Sequence, residues 1–398
     1  MIRVLVAPTE IVLSSGSYAR TYRLLREVGA DDVNVNAYVN EIRADATEFP
    51  SNVSIQSHDK PNRLTYFASL YRELYDTVRS DGIDVYQHAN LGFREFNPAM
   101  LLPPDPDTPF LVGPAEAGHA VPSAEFRRVL SRQIDRDVPA TLEKFVAGIA
   151  EPVVRSGLNP VRERFFEATL ERADRIVAVH KDAKERFEKY TDGEKIDVIP
   201  YGVDMEKFPY SPGAGNRSFV TVGNLIERKG HRYLLEAMAD ILETHPDTEL
   251  HIVGTGPLQK QLESYTAELG INDAVIFHGY VDDETLLELL HQARAFVHPS
   301  LSEGFSHVRL EAMSTGTPVV GTDVDGAHDL TRDGIDGFVI PRRDPDVLAD
   351  AALKLLTDPE RAREKGRNAR EKVERDHDYA DIGQKYLDIY RELAGEDG

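Results

Sequence analysis

In Val220-Thr-Val-Gly-Asn-Leu-Ile-Glu-Arg-Lys-Gly230 a strand-like run ends at a glycine. It hands over to a segment where Leu234, Met238, Ile241 and Leu242 recur at helical spacing. The chain passes from strand to helix through a tight loop that holds Gly223 and Asn224. Arg228 and Lys229 fall at the N-terminus of that helix, where each opposes the macrodipole at a cost of about 0.3–1 kcal/mol unless an anion sits there. The misplacement points to a phosphate site. Taken alone, an Arg-Lys pair is more often a solvated surface pair, so a second segment has to tip the balance.

Outward from this loop the same alternation of short apolar runs and longer amphipathic ones fills the chain, the pattern of βα units on parallel sheets. Ahead of it the strand candidates are Ile2–Ala7, Asp32–Ala37, Ile83–Tyr86, Phe110–Val112, Ile176–Val179 and Ile196–Ile199, with a helical stretch at Arg63–Val78. After it come Phe219–Val222, Glu249–Val253, Val275–Phe277, Phe296–Val297 and Pro318–Val320. Pro200, Gly202, Pro209, Pro212, Gly213 and Gly215 crowd breakers into one stretch and mark a linker. The expected layout is an α/β protein with an N-terminal domain at 1–209, a second domain at 210–377 and a closing helix at 378–398 that crosses back to the first.

The second segment is Ser300-Leu-Ser-Glu-Gly-Phe-Ser-His-Val-Arg-Leu-Glu-Ala-Met313, read as a strand end opening into a helix after Gly304. Glu303 and Glu311 lie eight residues apart. On a continuous helix that is ~12 Å along the axis, too far for both carboxylates to act on one bond. They suit two distant parts of one long ligand. A nucleotide sugar fits, with Glu303 on hexose hydroxyls, Glu311 on ribose hydroxyls and the diphosphate over the amides of Gly304, Phe305 and Ser306. In a chain this acidic, two glutamates alone are more often solvent-facing.

Composition narrows the class. The 398 residues, 41% hydrophobic and 29% charged, suffice for two or three globular domains and exclude a fibre or a miniprotein. A net charge of −22 repels phosphate backbones and argues against a nucleic-acid binder. Zero cysteines remove disulfides, thiolate nucleophiles and Cys-ligated zinc together. No basic-then-apolar leader opens the chain, and the longest uncharged run, Ala312–Thr322, falls short of the ~20 apolar residues of a bilayer span. The expected place is the cytoplasm, with membrane contact at most peripheral on its inner face.

Four blocks in order carry a family likeness: Val198-Ile-Pro-Tyr-Gly-Val-Asp204 with Phe208, the Gly223–Gly230 loop, Ile252-Val-Gly-Thr-Gly-Pro257, and Glu303 to Glu311 followed by Gly316-Thr-Pro-Val-Val320. Over residues ~175–375 the chain resembles the family 4 (group 1) glycosyltransferases. The resemblance implies a GT-B fold of two facing Rossmann-like domains and a retaining, metal-independent transfer of a sugar from a nucleotide diphosphate donor to a hydroxyl acceptor. Glycan or lipid-linked oligosaccharide assembly is its usual setting. It implies that Lys229 holds the diphosphate, Glu311 the ribose and Glu303 the donor sugar, with no cofactor beyond the donor as substrate. Asn224 stands where the family commonly has Arg, leaving Arg228 to supply the second charge, and Asp329 replaces a usual Glu after Gly326. A nucleotide-sugar 2-epimerase of the same fold, or a non-catalytic nucleotide-sugar-binding subunit, are the rival readings.

The N-terminal half is the expected acceptor side. Gly16, in Leu13-Ser-Ser-Gly-Ser-Tyr18, lets backbone approach the diphosphate, unless it is an ordinary βα turn. His88 and His119 are the candidates to face sugar transfer. Asp105-Pro-Asp107 and Asp344-Pro-Asp346 are chance DxD strings among 68 acids and carry no metal reading. The Arg-rich apolar stretches 126–136 and 145–166 suit core-facing helices better than a lipid surface.

Only 13 of the 46 basic residues are Lys, and acids outnumber bases 68 to 46, a surface suited to a salt-adapted host. On that hypothesis, melting temperature and activity rise together from low to multimolar KCl. A flat response to salt removes it.

Overall fold

The computed structural model describes residues 1–12, 19–30, 32–43, 49–57, 77, 82–89, 91–92, 107–116, 159–211 and 216–395. The chain divides into two compact units, Met1–Ile199 with Ala380–Gly398, and Pro200–Tyr379.

The first unit is built on a parallel sheet. Its strands are β1 (Ile2–Val12), β2 (Val33–Arg43), β3 (Val53–Ser57), β4 (Val85–His88), β5 (Leu91–Gly92), β6 (Phe110–Glu116), β7 (Arg175–Ala178) and β8 (Ile196–Val198). They lie in the order β3-β2-β1-β4-β6-β7-β8, with β5 alongside β6. Val4, Val6, Val35, Val85 and Val177 are wholly or almost wholly buried, as strands covered on both faces require. The final helix, Tyr379–Leu393, presses Ile382, Tyr386, Leu387, Ile389 and Tyr390 into this core. Its polar contacts fix the seat. Tyr390 Oη donates to Gln87 Oε1 at 2.5 Å, Gln87 Nε2 donates to the Gly113 carbonyl at 2.7 Å, and Arg391 forks onto Asp32 at 2.7 and 3.0 Å.

The second unit repeats the design with β9 (Ser218–Val222), β10 (Glu249–Val253), β11 (Val275–Gly279), β12 (Ala295–His298), β13 (Val319–Thr322) and β14 (Gly337–Ile340). All are parallel, in the order β11-β10-β9-β12-β13-β14. Helix His231–Thr244 buries Leu234, Leu235, Met238 and Ile241 against this sheet together with helix Pro345–Leu356.

Several expectations shift. The units part at Ile199/Pro200, ten residues ahead of 209/210, and at Tyr379/Ala380 in place of 377/378. The breaker-rich stretch from Pro200 packs on the second unit: Tyr201, Val203 and Phe208 are buried, Val203 N donates to His377 O at 3.0 Å, and Ser314 Oγ donates to Phe208 O at 2.8 Å. Strands β3, β5 and β14 were not anticipated. β3, Val53-Ser-Ile-Gln-Ser57, alternates apolar and polar residues and so lacks the continuous apolar run of a strand buried on both faces, whereas β14, Gly337-Phe-Val-Ile340, is a short apolar run that went unread. The expected helix at Arg63–Val78 lies almost wholly outside the described residues.

Tyr390→Phe leaves the Gln87 acceptor buried without its donor. A loss of about 1–3 kcal/mol is expected, read as a lower urea midpoint with an unchanged slope.

Candidate functional site

Strands β9 and β12 are neighbours from which the order runs outward in both directions, through β10 to β11 and through β13 to β14. Such a switch point opens a crevice beyond the carboxyl ends of the two strands, the usual ligand position in a parallel α/β sheet. The Gly223–Gly230 loop follows β9, and the segment from Pro299 to Ser306 follows β12. Gly230 locks them together. It is left-handed (φ 67°), and a Cβ there would fall 2.0 Å from the Pro299 carbonyl oxygen. Leu301 N donates to Arg228 O at 2.7 Å. Arg228 and Lys229 sit in a short 3-10 turn, Glu227–Lys229, with Gly230 at the N-cap of helix His231–Thr244, one step before the helix they were expected to begin.

Both cations close on Glu303. Lys229 Nζ lies 2.6 Å from Oε1, and Arg228 Nη1 lies 2.9 Å from Oε2 while donating to the Ser302 carbonyl at 2.7 Å. Ser300 Oγ donates to Oε1 at 2.6 Å. Glu303 is 5% exposed. Burial alone would push its carboxyl up, yet Lys229, His298 and Arg228 hold it well below the usual carboxylate range. The expected helical rise from Glu303 to Glu311 does not exist, because helix His307–Thr315 starts only at His307. Glu303 stands in the loop ahead of it; Glu311 is half-buried on the helix.

Beneath the ion pairs lies a layer absent from the sequence reading. His298, at the end of β12, is buried and drawn down to about 4, chiefly by burial. Its Nε2 faces Ser300 Oγ at 3.2 Å, Ser306 Oγ at 3.3 Å and Glu303 Oε1 at 3.4 Å. Its Nδ1 faces Arg309 Nη2 at 3.4 Å. Arg309 is fully buried, and burial lowers it only to about 10, so it is charged at neutral pH. His231 is buried beside them and lowered to about 3 by burial, Lys229 and His298. One signal was legible: Arg309 falls within a helix between Val308 and Leu310, one turn before Ala312 and Met313, among apolar residues where a charge needs a reason. Arg228, Lys229 and Arg309 thus bring three positive charges to one buried carboxylate; Asp323, a further counter-charge to Arg309, has a 60% exposed side chain.

Of the other anticipated residues, Phe305 anchors its loop by an edge contact to Tyr201, ring centroids 5.0 Å apart, and Ser306 spends its hydroxyl on His298 without capping the helix. Gly304 precedes them in the same loop. Asn224 is exposed, and its carbonyl accepts from Ile226 N at 2.9 Å. His88 is wholly buried in the first unit, where burial lowers it to about 4, an enclosure that argues against contact with a sugar. Gly16 and His119 lie outside the described residues. Among the described residues no group of three or more His, Asp or Glu converges on a possible metal position, and no helix is long and apolar enough to cross a membrane.

Residues 204–372 match the family model described as glycosyl transferases group 1. The glycogen synthase of Mycobacterium tuberculosis is 33% identical over 207 residues, 51% of this chain and 50% of that one. The UDP-Gal:alpha-D-GlcNAc-diphosphoundecaprenol alpha-1,3-galactosyltransferase of Escherichia coli is 30% identical over 237 residues, 55% of this chain and 60% of that one. The chain therefore spans between half and three-fifths of the length of these two curated relatives. A solved sucrose-phosphate synthase from Thermosynechococcus elongatus superposes with a TM-score of 0.72 at 20% identity over 100% of both chains, which shows the fold, GT-B.

Three of the buried histidines give the protein an acid weakness. Their folded values of about 4, 3 and 4 for His88, His231 and His298 lie below the ~6.5 of an unfolded histidine. Stability is complete above ~6.5 and is lost as pH falls toward those values, because the unfolded chain takes protons that the folded one refuses. Each histidine contributes a slope of up to ~1.4 kcal/mol per pH unit. Glu303, also depressed, adds its loss only below ~4.3. Urea unfolding followed across this window checks the slope, and His88→Asn should flatten it by about a third.

Proposed function

We propose, since the chain belongs through residues 204–372 to the group 1 glycosyl transferases, that it moves a sugar from a nucleotide diphosphate donor to an acceptor hydroxyl. The charge imbalance at the ends of β9 and β12 carries this reading. Arg228, Lys229 and Arg309 face a single buried carboxylate, Glu303. Even with the exposed Asp323 counted against Arg309, positive charge is in excess, and the diphosphate bridge of a nucleotide sugar brings negative charge to meet it. Desolvated charges need such compensation.

The same groups serve the chemistry. As the bond from the sugar C1 to the diphosphate oxygen breaks, negative charge grows on the leaving group, and Lys229 and Arg228 stabilise it more than they stabilise the bound donor. This is the electrostatic role a divalent metal would otherwise fill. Glu303 is poorly placed as a covalent nucleophile, because Lys229 and Ser300 hold Oε1 and Arg228 holds Oε2. The retaining course implied by the family likeness therefore proceeds without attack by this carboxylate. Glu303 faces the donor sugar, Glu311 the ribose, and the Gly304–Ser306 loop the diphosphate. The name of the Escherichia coli relative joins UDP-Gal to a diphosphoundecaprenol-linked acceptor. It supports a glycan or lipid-linked acceptor here, reached from the cytoplasm with peripheral contact at the inner membrane face.

A thermal-shift panel of UDP, GDP and their sugars at high salt tests the donor; no shift with any of them counts against the proposal. Lys229→Ala should lower turnover by about 100-fold or more with folding intact. Activity within about twofold of wild type would falsify the role of Lys229. Glu311→Ala should weaken nucleotide binding by about tenfold in calorimetry, the worth of one charge-assisted hydrogen bond.

A further inference from the structure

We propose that Arg309 is a positioning residue for Glu303: its guanidinium holds the His298 ring with the proton on Nε2, and that N–H, together with Ser300, orients the carboxylate that meets Lys229 and Arg228. The consequence for turnover rests on the donor-site reading above; the geometry does not.

A guanidinium has only donors. Arg309 Nη2, 3.4 Å from His298 Nδ1, therefore makes Nδ1 the acceptor and leaves the one ring proton of the neutral imidazole on Nε2. That nitrogen faces three oxygens, on Ser300, Ser306 and Glu303. Ser300 gives its own hydrogen to Glu303 Oε1, so its lone pair is open to the His298 N–H. The opposite tautomer would aim Nδ1–H at a guanidinium and the Nε2 lone pair at a carboxylate, two repulsive contacts in place of two attractive ones.

The surroundings are shaped for this arrangement. A Cβ on Gly321 in β13 would fall 2.2 Å from Arg309 Nη2, so the missing side chain there makes room for the guanidinium. Nη2 is steadied by the Thr322 carbonyl at 3.1 Å. A purely structural role explains the residue poorly. Arg309 Nε and Nη1 find no hydrogen-bond partner among the described residues, and an apolar side chain of similar volume commonly replaces a buried ion without loss of stability. The charged and titratable groups facing His298 are Glu303, Lys229, Arg309 and His231.

The test is nitrogen NMR of the histidine rings in the full chain, with His298 assigned by its loss in His298→Gln. The wild type should show His298 protonated on Nε2 alone. Arg309→Met should keep the melting temperature but lose the single tautomer, and its His298 should titrate above the wild-type value of about 4. With an active donor, kcat should fall about tenfold, the rate equivalent of one hydrogen bond, with little change in KM. Arg309→Lys should recover part of both effects. A wild-type ring protonated on Nδ1, a tautomer unchanged in Arg309→Met, or an unchanged kcat overturns the proposal. If Arg309→Met fails to fold, Gly321→Ala, which displaces the guanidinium and keeps its charge, is read in the same way. The ring spectrum needs no nucleotide, so failure to bind UDP or GDP overturns the donor site without touching the tautomer result.

Discussion

A single carboxylate with both oxygens engaged organises the second unit. Glu303 is where the loop after β9 and the loop after β12 meet chemically, through Lys229 and Arg228 from one side and Ser300 from the other. A carboxylate this deeply buried is costly unless hydrogen-bonded and paired. The cations that satisfy it exceed it in number, so the pairing that stabilises the two loops also leaves positive charge in excess there. Holding the acid and gathering the positive charge are one arrangement.

That arrangement depends on backbone geometry as much as on charge. Parallel order with a reversal between β9 and β12 brings two loops far apart in sequence together beyond the carboxyl ends of the two central strands. The bare α-carbon of Gly230 then lets them approach to a distance no side chain would permit. Phe305 against Tyr201 pins the second loop from the other end. A loop so held has little freedom left to lose when a ligand binds, which is the condition for electrostatic preorganisation.

In the first unit the closing helix serves as a core element. Tyr386 and Tyr390 lie among Val4, Val35 and Val85, and Gln87 joins Tyr390 to the backbone of β6. The chain thus returns after the second unit to complete a core begun at Ile2. The stretch from Pro200 to Phe208, rich in residues that break regular structure, is drawn into the second unit because Tyr201, Val203 and Phe208 find buried seats against the segment around His377 and Ser314.

What the sequence by itself determined was whatever is encoded locally. The α/β class follows from apolar runs alternating with amphipathic ones, and a closing helix was expected at 378–398, where Tyr379–Leu393 forms one. Arg228, Lys229, Glu303 and Glu311 stood out because charges at the mouths of βα loops need a reason. Edge strand β3 escaped notice, since its alternating Val53-Ser-Ile-Gln-Ser57 lacks a continuous apolar signature. What only the tertiary structure decided was which charges touch. Lys229 and Glu303 were assigned to different parts of a ligand, and they meet each other; His298 looked like an ordinary strand position, and it lies buried with Arg309 behind that pair. Contacts between groups some seventy residues apart are set by strand order and backbone approach, and neither is written in the spacing of residues along the chain.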